Sequence, residues 1–301
     1  MNESSRPELS IVIGSAQPWP EVRLPLESLR PQLDGLQVEV IVGLGHPDGL
    51  DLSYAASYPG LRSFCEPGAS VFWLRSRGIE MAGGEVIAVT EDHCRVDARW
   101  CREILRAHRV HPEVGMIGGA VDNGADRKLI DWANYLTSNV PFMSPIATGP
   151  CDAISAQANL SIKRRARPSI ESELGNMEML VISGLARSGE RFYADAAIRV
   201  DHVQSHGFWN TFAVHYHNGR SIAGFRREQI GLFERWLRLL TTPLLTGWLV
   251  VRPWRYLLQK RRNLGWAVAS LPLMIGLGIC HSSGEAVGYL YGPGRSPAMM
   301  K

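Results

Sequence analysis

The sequence lacks most features of a secreted, disulfide-stabilised or nucleic-acid-binding protein. Its five cysteines are an odd number without a CxxC pair, which fits buried thiols in a reducing compartment better than disulfides or a zinc ribbon. The N-terminal stretch MNESSRPELS is polar, so we expect no secretory signal peptide. Among 301 residues, Lys and Arg number 32 and Asp and Glu 29, an excess too small to favour nucleic acid as a partner.

Several common enzyme motifs are also missing. The chain has no P-loop, no HExxH and no GxSxG. Gly43-Leu44-Gly45 superficially matches a dinucleotide fingerprint, but it follows the second predicted strand and Asp48 stands where the third glycine belongs. We therefore expect no NAD binding.

The first 121 residues alternate between short β-branched runs and segments of helical periodicity. The runs predict strands at 9–14, 38–42, 85–90 and 114–121, and the periodic segments predict helices at 22–33, 70–83 and 97–110. Helices are also predicted at 131–139 and 176–189. This alternation predicts an α/β fold with a mostly parallel central sheet, and ligands at the carboxyl ends of its strands.

The composition changes near residue 232, which divides the chain into predicted regions 1–231 and 232–301. Residues 239–251 and 263–284 carry no charge, and 252–262 between them hold five basic residues with Trp254 and Tyr256. Basic and aromatic residues between apolar segments are typical of a membrane–water interface. We expect C-terminal apolar helices that attach to a membrane, either spanning it or lying in its interface; the alternative is a pair of buried core helices.

The stretch VIAVTEDHC (86–94) offers metal-ligating groups at the end of a predicted buried strand. Side chains alternate along an extended segment, so Glu91 and His93 share a face and can chelate one divalent ion. The simpler alternative is a solvated turn after the strand.

The surroundings of this stretch resemble a known family. The matching positions are Leu74-Arg75-Ser76-Arg77-Gly78-Ile79, Ala82, Gly84-Glu85, Asp97, Trp100 and the run 158–164 (ANLSIKR). Their types and spacing resemble the family 2 glycosyltransferases, inverting enzymes with the GT-A nucleotide-sugar fold. The resemblance covers residues 8–205 and is most specific over 71–100. The pairs Gly284-Glu285 and Gly288-Tyr289 resemble the tail of bacterial members.

The resemblance implies roles for individual residues. Glu91-Asp92-His93 stands in place of the family's Asp-rich metal motif, and His202 in place of its late histidine, with His206 as the alternative ligand. Glu91, His93 and His202 would hold a divalent ion, Mn²⁺ more readily than Mg²⁺ because Mg²⁺ prefers all-oxygen ligands. Ser15, Arg75 and Asp92 fall at donor-binding positions.

Glu178 falls where the family has its catalytic base, with Glu171 and Glu173 as rivals. The chain departs from the family after its second strand, since VGLGHPDGL (42–50) lacks the base-reading Asp and Asp48 comes a few residues late.

These features together predict a metal-dependent inverting glycosyltransferase of the inner membrane with its catalytic region in the cytoplasm. It would use a nucleotide-sugar donor and a lipid-linked or surface-polysaccharide acceptor. Two alternatives remain: a non-catalytic membrane scaffold of the same fold in a polysaccharide assembly complex, and a zinc hydrolase using Glu91, His202 and His206.

Overall fold

A computed structural model describes residues 6–169 and 175–300, and nine strands within these ranges form one mixed sheet. The strands are β1 Leu9–Ser15, β2 Val38–Leu44, β3 Leu61–Cys65, β4 Val86–Glu91, β5 Cys94–Val96, β6 Met116–Asn123, β7 Gly149–Cys151, β8 Leu160–Lys163 and β9 Phe192–His202. The helices are α1 Arg23–Leu29, α2 Leu52–Ser57, α3 Val71–Met81, α4 Trp100–Val110, α5 Leu129–Ser138, α6 Glu178–Arg187, α7 Phe208–Arg227, α8 Leu232–Lys260 and α9 Leu264–Tyr291.

One half of the sheet is parallel, as the βα alternation predicts. Its strands lie in the order β3-β2-β1-β4, and each neighbouring pair is parallel. Strands β1, β2, β4 and β6 confirm the four predicted runs, and helices α1, α3 and α4 confirm the predicted segments between them. The register places Gly14 of β1 beside Glu91 of β4, so the carboxyl ends of these strands meet at one edge.

The other half of the sheet is antiparallel, and here the expectation of a mostly parallel sheet is wrong. Strand β8 runs antiparallel to both β4 and β6, and β9 runs antiparallel to both β5 and β7. Strand β5 begins only two residues after β4, too few for the long crossover that a parallel neighbour needs, and it pairs with β9 instead of β4. The sheet is therefore mixed.

The chain divides into two compact units. The sheet unit comprises the described residues up to Asp122 together with Ser144–Val203, and the helical unit comprises Asn123–Met143 and the chain from Gln204 onwards. Helix α7 thus belongs to the helical unit, although it precedes residue 232. The boundary at 231, which rests on the composition change, stays a prediction.

The helical unit is built around α9, which packs on α5, α7 and α8. Its buried core includes Trp132, Leu136, Leu257, Met274 and Leu277. Helices α7 and α9 approach closely at glycines: a Cβ on Gly284 would lie 2.0 Å from the carbonyl oxygen of Tyr216. Among the described helices, α9 alone has the length and apolar composition to cross a membrane, a property it shares with core helices of soluble proteins.

Helix α8 continues through two prolines. Pro243 and Pro253 both lie inside it, so the apolar segment 239–251 is the middle of one 29-residue helix. A proline has no N–H for the carbonyl four residues earlier. At Pro243 that carbonyl belongs to Leu239, and the Thr242 hydroxyl donates to it at 2.7 Å.

Candidate active site

The sheet brings Glu91, His93 and His202 together. Glu91 is the last residue of the buried strand β4, and Asp92 and His93 form the short link to β5. Strand β5 pairs with the end of β9, where Cys94 lies opposite His202 and the Val203 N–H donates to the His93 carbonyl at 2.8 Å. This pairing places an imidazole from the late part of the chain beside the acidic turn.

The three side chains form a compact cluster of one carboxylate and two imidazoles. Nε2 of His93 lies 3.0 Å from Nε2 of His202. Oε2 of Glu91 lies 3.5 Å from each of these nitrogens. One ligand atom from each residue falls within 4.8 Å of the others, and in the part of the chain that the structure describes this is the one group of three or more such residues. Its nitrogen and oxygen donors suit a borderline divalent ion.

Charge is strongly coupled within the cluster. Burial alone would raise the pKa of Glu91, but the charge of His93 and hydrogen bonds from both imidazoles hold it well below its usual value. Burial opposes protonation of His93, yet Glu91 and Asp92 raise its pKa to about 10. Burial and neighbouring His93 lower the pKa of His202. The carboxylates of Glu91 and Asp92 are therefore accompanied by a protonated His93, while His202 stays neutral.

Asp92 makes hydrogen-bond contacts with Ser15 and His93. The Ser15 hydroxyl donates to its Oδ2 at 2.5 Å, and its Oδ1 lies 2.7 Å from Nδ1 of His93. Asp92 thereby fixes the His93 ring, so that Nε2 is directed at Glu91 and His202. The structure places Ser15 and Asp92 at the site, while their predicted contact with a donor stays a prediction.

Arg75 lies between two carboxylates. Its side chain is 3% exposed, and Nε donates to Oε1 of Glu178 at 2.5 Å while Nη2 donates to Oε2 at 3.2 Å. Nη1 lies 3.9 Å from Oε1 of Glu91. Gly14 makes room for this arrangement, because a Cβ there would lie 2.8 Å from Cγ of Arg75.

Glu178 begins α6 and borders a small pocket, whose lining also includes Ser76 and Asn176. The other walls are mostly apolar and come from separate segments, among them Ile79, Met116, Leu160 and Ile182. The cluster of Glu91, His93 and His202 does not line this pocket. The rival bases Glu171 and Glu173 lie outside the described residues.

Two other residues from the sequence interpretation, Asp48 and His206, are not members of the cluster. Asp48 is exposed in the loop after β2, and its carboxylate lies 3.3 Å from the imidazole of His46. His202 ends β9, and His206 lies in the irregular segment before α7. These two histidines therefore do not share a helix, which a zinc site with HxxxH spacing needs.

Sequence reasoning missed the pairing of Arg75 with Glu178, which lie 103 residues apart. It also missed the pocket beside Glu178, because no local pattern joins its scattered lining segments. A hint was available in the buried face of α3, where an arginine stands among apolar residues.

Comparisons with known proteins identify the fold. No family model and no curated protein sequence matches the chain. The mannosyltransferase PcManGT from Pyrobaculum calidifontis, solved with GDP-Man and Mn²⁺, matches at a TM-score of 0.56 and 14% identity, covering 95% of this chain and 88% of that one. S. aureus TarS 1–349 matches at a TM-score of 0.51 and 10% identity, covering 93% and 90%. The chain therefore has a glycosyltransferase-like fold.

Proposed function

We propose that this protein transfers a sugar from a nucleotide-diphosphate donor to a hydroxyl acceptor. The observation that carries the proposal is the cluster of Glu91, His93 and His202 at the carboxyl end of β4, on a fold shared with glycosyltransferases. The finer classification, an inverting family 2 enzyme of GT-A type, belongs to the same proposal. It is supported by the motif spacing over residues 71–100.

The donor set fits a divalent cation. Glu91, His93 and His202 would hold it, and their mixed nitrogen and oxygen atoms favour Mn²⁺ over Mg²⁺. When bound, the ion would stabilise the negative charge of a departing nucleoside diphosphate.

Arg75 and Glu178 supply the remaining chemistry. A planar guanidinium suits a diphosphate, and a carboxylate can accept the proton of an attacking hydroxyl. In the structure the two groups form an ion pair with each other, so the Glu178 carboxylate is occupied by Arg75. A diphosphate that competes for Arg75 would weaken this pair and release Glu178 to act as the base.

The proposed class of acceptor follows from the properties of the C-terminal helices. The apolar helices favour a lipid-linked acceptor or a growing surface polysaccharide, handled at the cytoplasmic face of the inner membrane.

The test is donor binding with and without Mn²⁺. Purified protein is screened by thermal shift against GDP-, UDP- and dTDP-sugars, and donor turnover is measured in parallel. We expect a Mn²⁺-dependent stabilisation by at least one donor. We expect Glu91→Ala and His93→Ala to abolish both Mn²⁺ binding and turnover while the protein stays folded. Glu80→Ala and His111→Ala change the same residue types outside the cluster and serve as matched controls.

The alternative proposal is a non-catalytic membrane scaffold with the same fold. It is favoured by the departure at residues 42–50 and by the engagement of Glu178 with Arg75. A scaffold would show no metal-dependent donor binding in the same screen. Unchanged turnover in both cluster variants would contradict the proposed metal site.

A further inference from the structure

Helix α8 exposes an apolar face along its whole length. The side chains on this face are each more than half exposed: Phe233, Trp236, Leu237, Leu240, Leu244, Trp248, Val251 and Leu258. Their spacing places them on one side of the helix, so they form one stripe, the α8 apolar face, which is interrupted only by the exposed Arg255 between Val251 and Leu258. At 1.5 Å per residue the stripe is roughly 40 Å long. Monomeric soluble proteins rarely leave so long a continuous apolar surface in water.

A second exposed apolar stripe lies on the first half of α9. Val268, Ile275 and Ile279 are 42–62% exposed, lie on one side of the helix, and have no charged residue between them. The Thr246 hydroxyl donates to the Gly278 carbonyl and so joins α8 to α9 at mid-length. These exposed residues of α9 form the α9 apolar face.

The charge around these faces indicates what covers them. Residues 232–262 hold seven basic residues and one acidic residue, whereas the rest of the chain holds 25 basic and 28 acidic residues. Arg255 is the one charged residue of α8 that is exposed. A second copy of the chain would bring two such positive segments together, which like-charge repulsion disfavours. Anionic lipid headgroups complement the charge, and the exposed Trp236 and Trp248 are a residue type typical of the headgroup region.

The packing of α9 argues against a membrane crossing. In its second half, Gly284 and Gly288 lie against the backbone of α7 at Tyr216 and Arg220. That half also holds a buried pair, His281 and Glu285, whose Nε2 and Oε1 atoms lie 3.4 Å apart. The exposed apolar part from Val268 to Ile279 is about 17 Å long, and the hydrocarbon core of a bilayer is about 30 Å thick.

We propose that the α8 and α9 apolar faces lie in the headgroup and upper acyl region of an anionic phospholipid bilayer, with both helices parallel to its plane. Helices that bind in this way have an apolar face towards the lipid tails and basic residues near the headgroups. The proposal goes beyond sugar transfer and does not depend on it, because membrane binding is measured without donor or acceptor.

The first experiment measures binding of the full chain to vesicles by flotation. We expect the protein to float with phosphatidylcholine vesicles that contain phosphatidylglycerol, and less with phosphatidylcholine alone. Leu240→Glu with Leu244→Glu removes two leucines that are 76% and 74% exposed, and should reduce vesicle binding roughly a hundredfold or more. Val110→Glu places the same charge at a 58% exposed apolar residue of the sheet unit, and should leave binding unchanged.

The second experiment separates a parallel orientation from a crossing. Cysteines are placed at the two ends of α9, by Arg262→Cys or Tyr291→Cys in a Cys65→Ser background, and inverted membrane vesicles are labelled with an impermeant maleimide. The chain without an added cysteine gives the background from the remaining thiols. We expect equal labelling of both positions from the cytoplasmic face.

Three results would overturn the proposal. Labelling of only one end of α9 in inverted vesicles means that the helix crosses the membrane. Equal vesicle binding by the Leu240→Glu, Leu244→Glu variant means that these faces do not contact lipid. Conversion of a dimer to a monomer by that variant, with no vesicle binding by either protein, means that a second copy covers the α8 apolar face.

Discussion

At the scale of single residues, the arginine buried between two acids is the most constrained side chain near the candidate site. Arg75 is 3% exposed and Glu178 is 6% exposed, so water screens their pair very little. Removing one partner of a buried pair leaves a charge without compensation, which costs far more than the pair itself contributes.

Arg75→Met should lower the free energy of unfolding by about 3–5 kcal/mol, because it leaves the charge of Glu178 buried without a partner. Adding Glu178→Gln to Arg75→Met should restore most of this loss, since Glu91 keeps its two histidine partners. The measurement is urea unfolding followed by circular dichroism.

Arg77→Met is the matched control on the same helix. Arg77 and Glu80 form an exposed pair at 2.9 Å, so the expected change is within about 1 kcal/mol. A double variant as unstable as Arg75→Met alone would contradict the prediction.

Part of the candidate site was predictable at this scale. The alternation of side chains along an extended segment placed Glu91 and His93 on one face, and the structure brings their charged atoms to 3.5 Å. His202 came only from the family resemblance, because no local rule joins residues 109 positions apart. The pairing of Arg75 with Glu178 could not be predicted either, because the two residues are 103 positions apart.

At the scale of secondary-structure elements, α8 shows how a long helix tolerates an internal proline. Pro243 cannot donate to the Leu239 carbonyl, and the Thr242 hydroxyl donates there instead. Thr242 is buried, so water does not provide a ready replacement. A buried carbonyl without a partner costs about 1–3 kcal/mol.

Thr242→Val should therefore lower the free energy of unfolding by about 1–3 kcal/mol, since valine keeps the shape and loses the donor. The neighbouring Thr241→Val is the control. Its exposed hydroxyl donates to Leu237 and Arg238, whose carbonyls do not depend on a proline, so we expect a change within about 0.5 kcal/mol. The measurement is the thermal unfolding midpoint of the two variants. Equal midpoints would show that the Thr242 hydroxyl is dispensable for stability.

The predictability of the strands depended on both their burial and their length, since β8 is buried throughout but has only four residues and was missed. Strands β1, β2, β4 and β6 consist of buried apolar runs, which sequence patterns reveal. Strand β3 is mostly exposed and β5 has only three residues, so neither leaves an apolar run. Strand β9 alternates irregularly between buried and half-buried residues and was missed.

At the scale of the whole molecule, each unit contains a buried histidine that stays neutral. In the sheet unit, Ser161 donates its proton to the Ile117 carbonyl, so Nε2 of His108 must donate to the Ser161 hydroxyl oxygen. Nδ1 of His108 then has no hydrogen-bond partner among the described residues. Burial, with the charge of Lys163, lowers the pKa of His108 to about 3. In the helical unit, burial lowers the pKa of His215 to about 3 as well.

Stability should therefore fall in mild acid. An unfolded histidine has a pKa of about 6.5, so below this pH the unfolded chain binds protons that the folded chain excludes. The stabilisation is present above about pH 6.5 and is lost as the pH falls towards 3, by up to about 1.4 kcal/mol per pH unit for each histidine.

The measurement is the urea midpoint between pH 7 and pH 4.5. His108→Gln retains a donor for Ser161 and should make the fall less steep. His111→Gln, at a partly exposed position three residues later, is the control. An unchanged slope for His108→Gln would contradict this explanation.

The division into two units was the least predictable feature at this scale. The composition change near residue 232 marked the start of α8, but α5 and α7 have ordinary globular sequences. Their place in the helical unit follows from tertiary packing against α9, which no composition window detects.

The pairing of β5 with the end of β9 has a consequence for the order of events during synthesis. A ribosome releases the Glu91 turn long before it releases His202, so a nascent chain carries Glu91 and His93 without the third member of the cluster. His202 arrives only when β9 adds to the sheet. An unfinished or prematurely stopped polypeptide therefore lacks the complete cluster of Glu91, His93 and His202 until translation has passed residue 202.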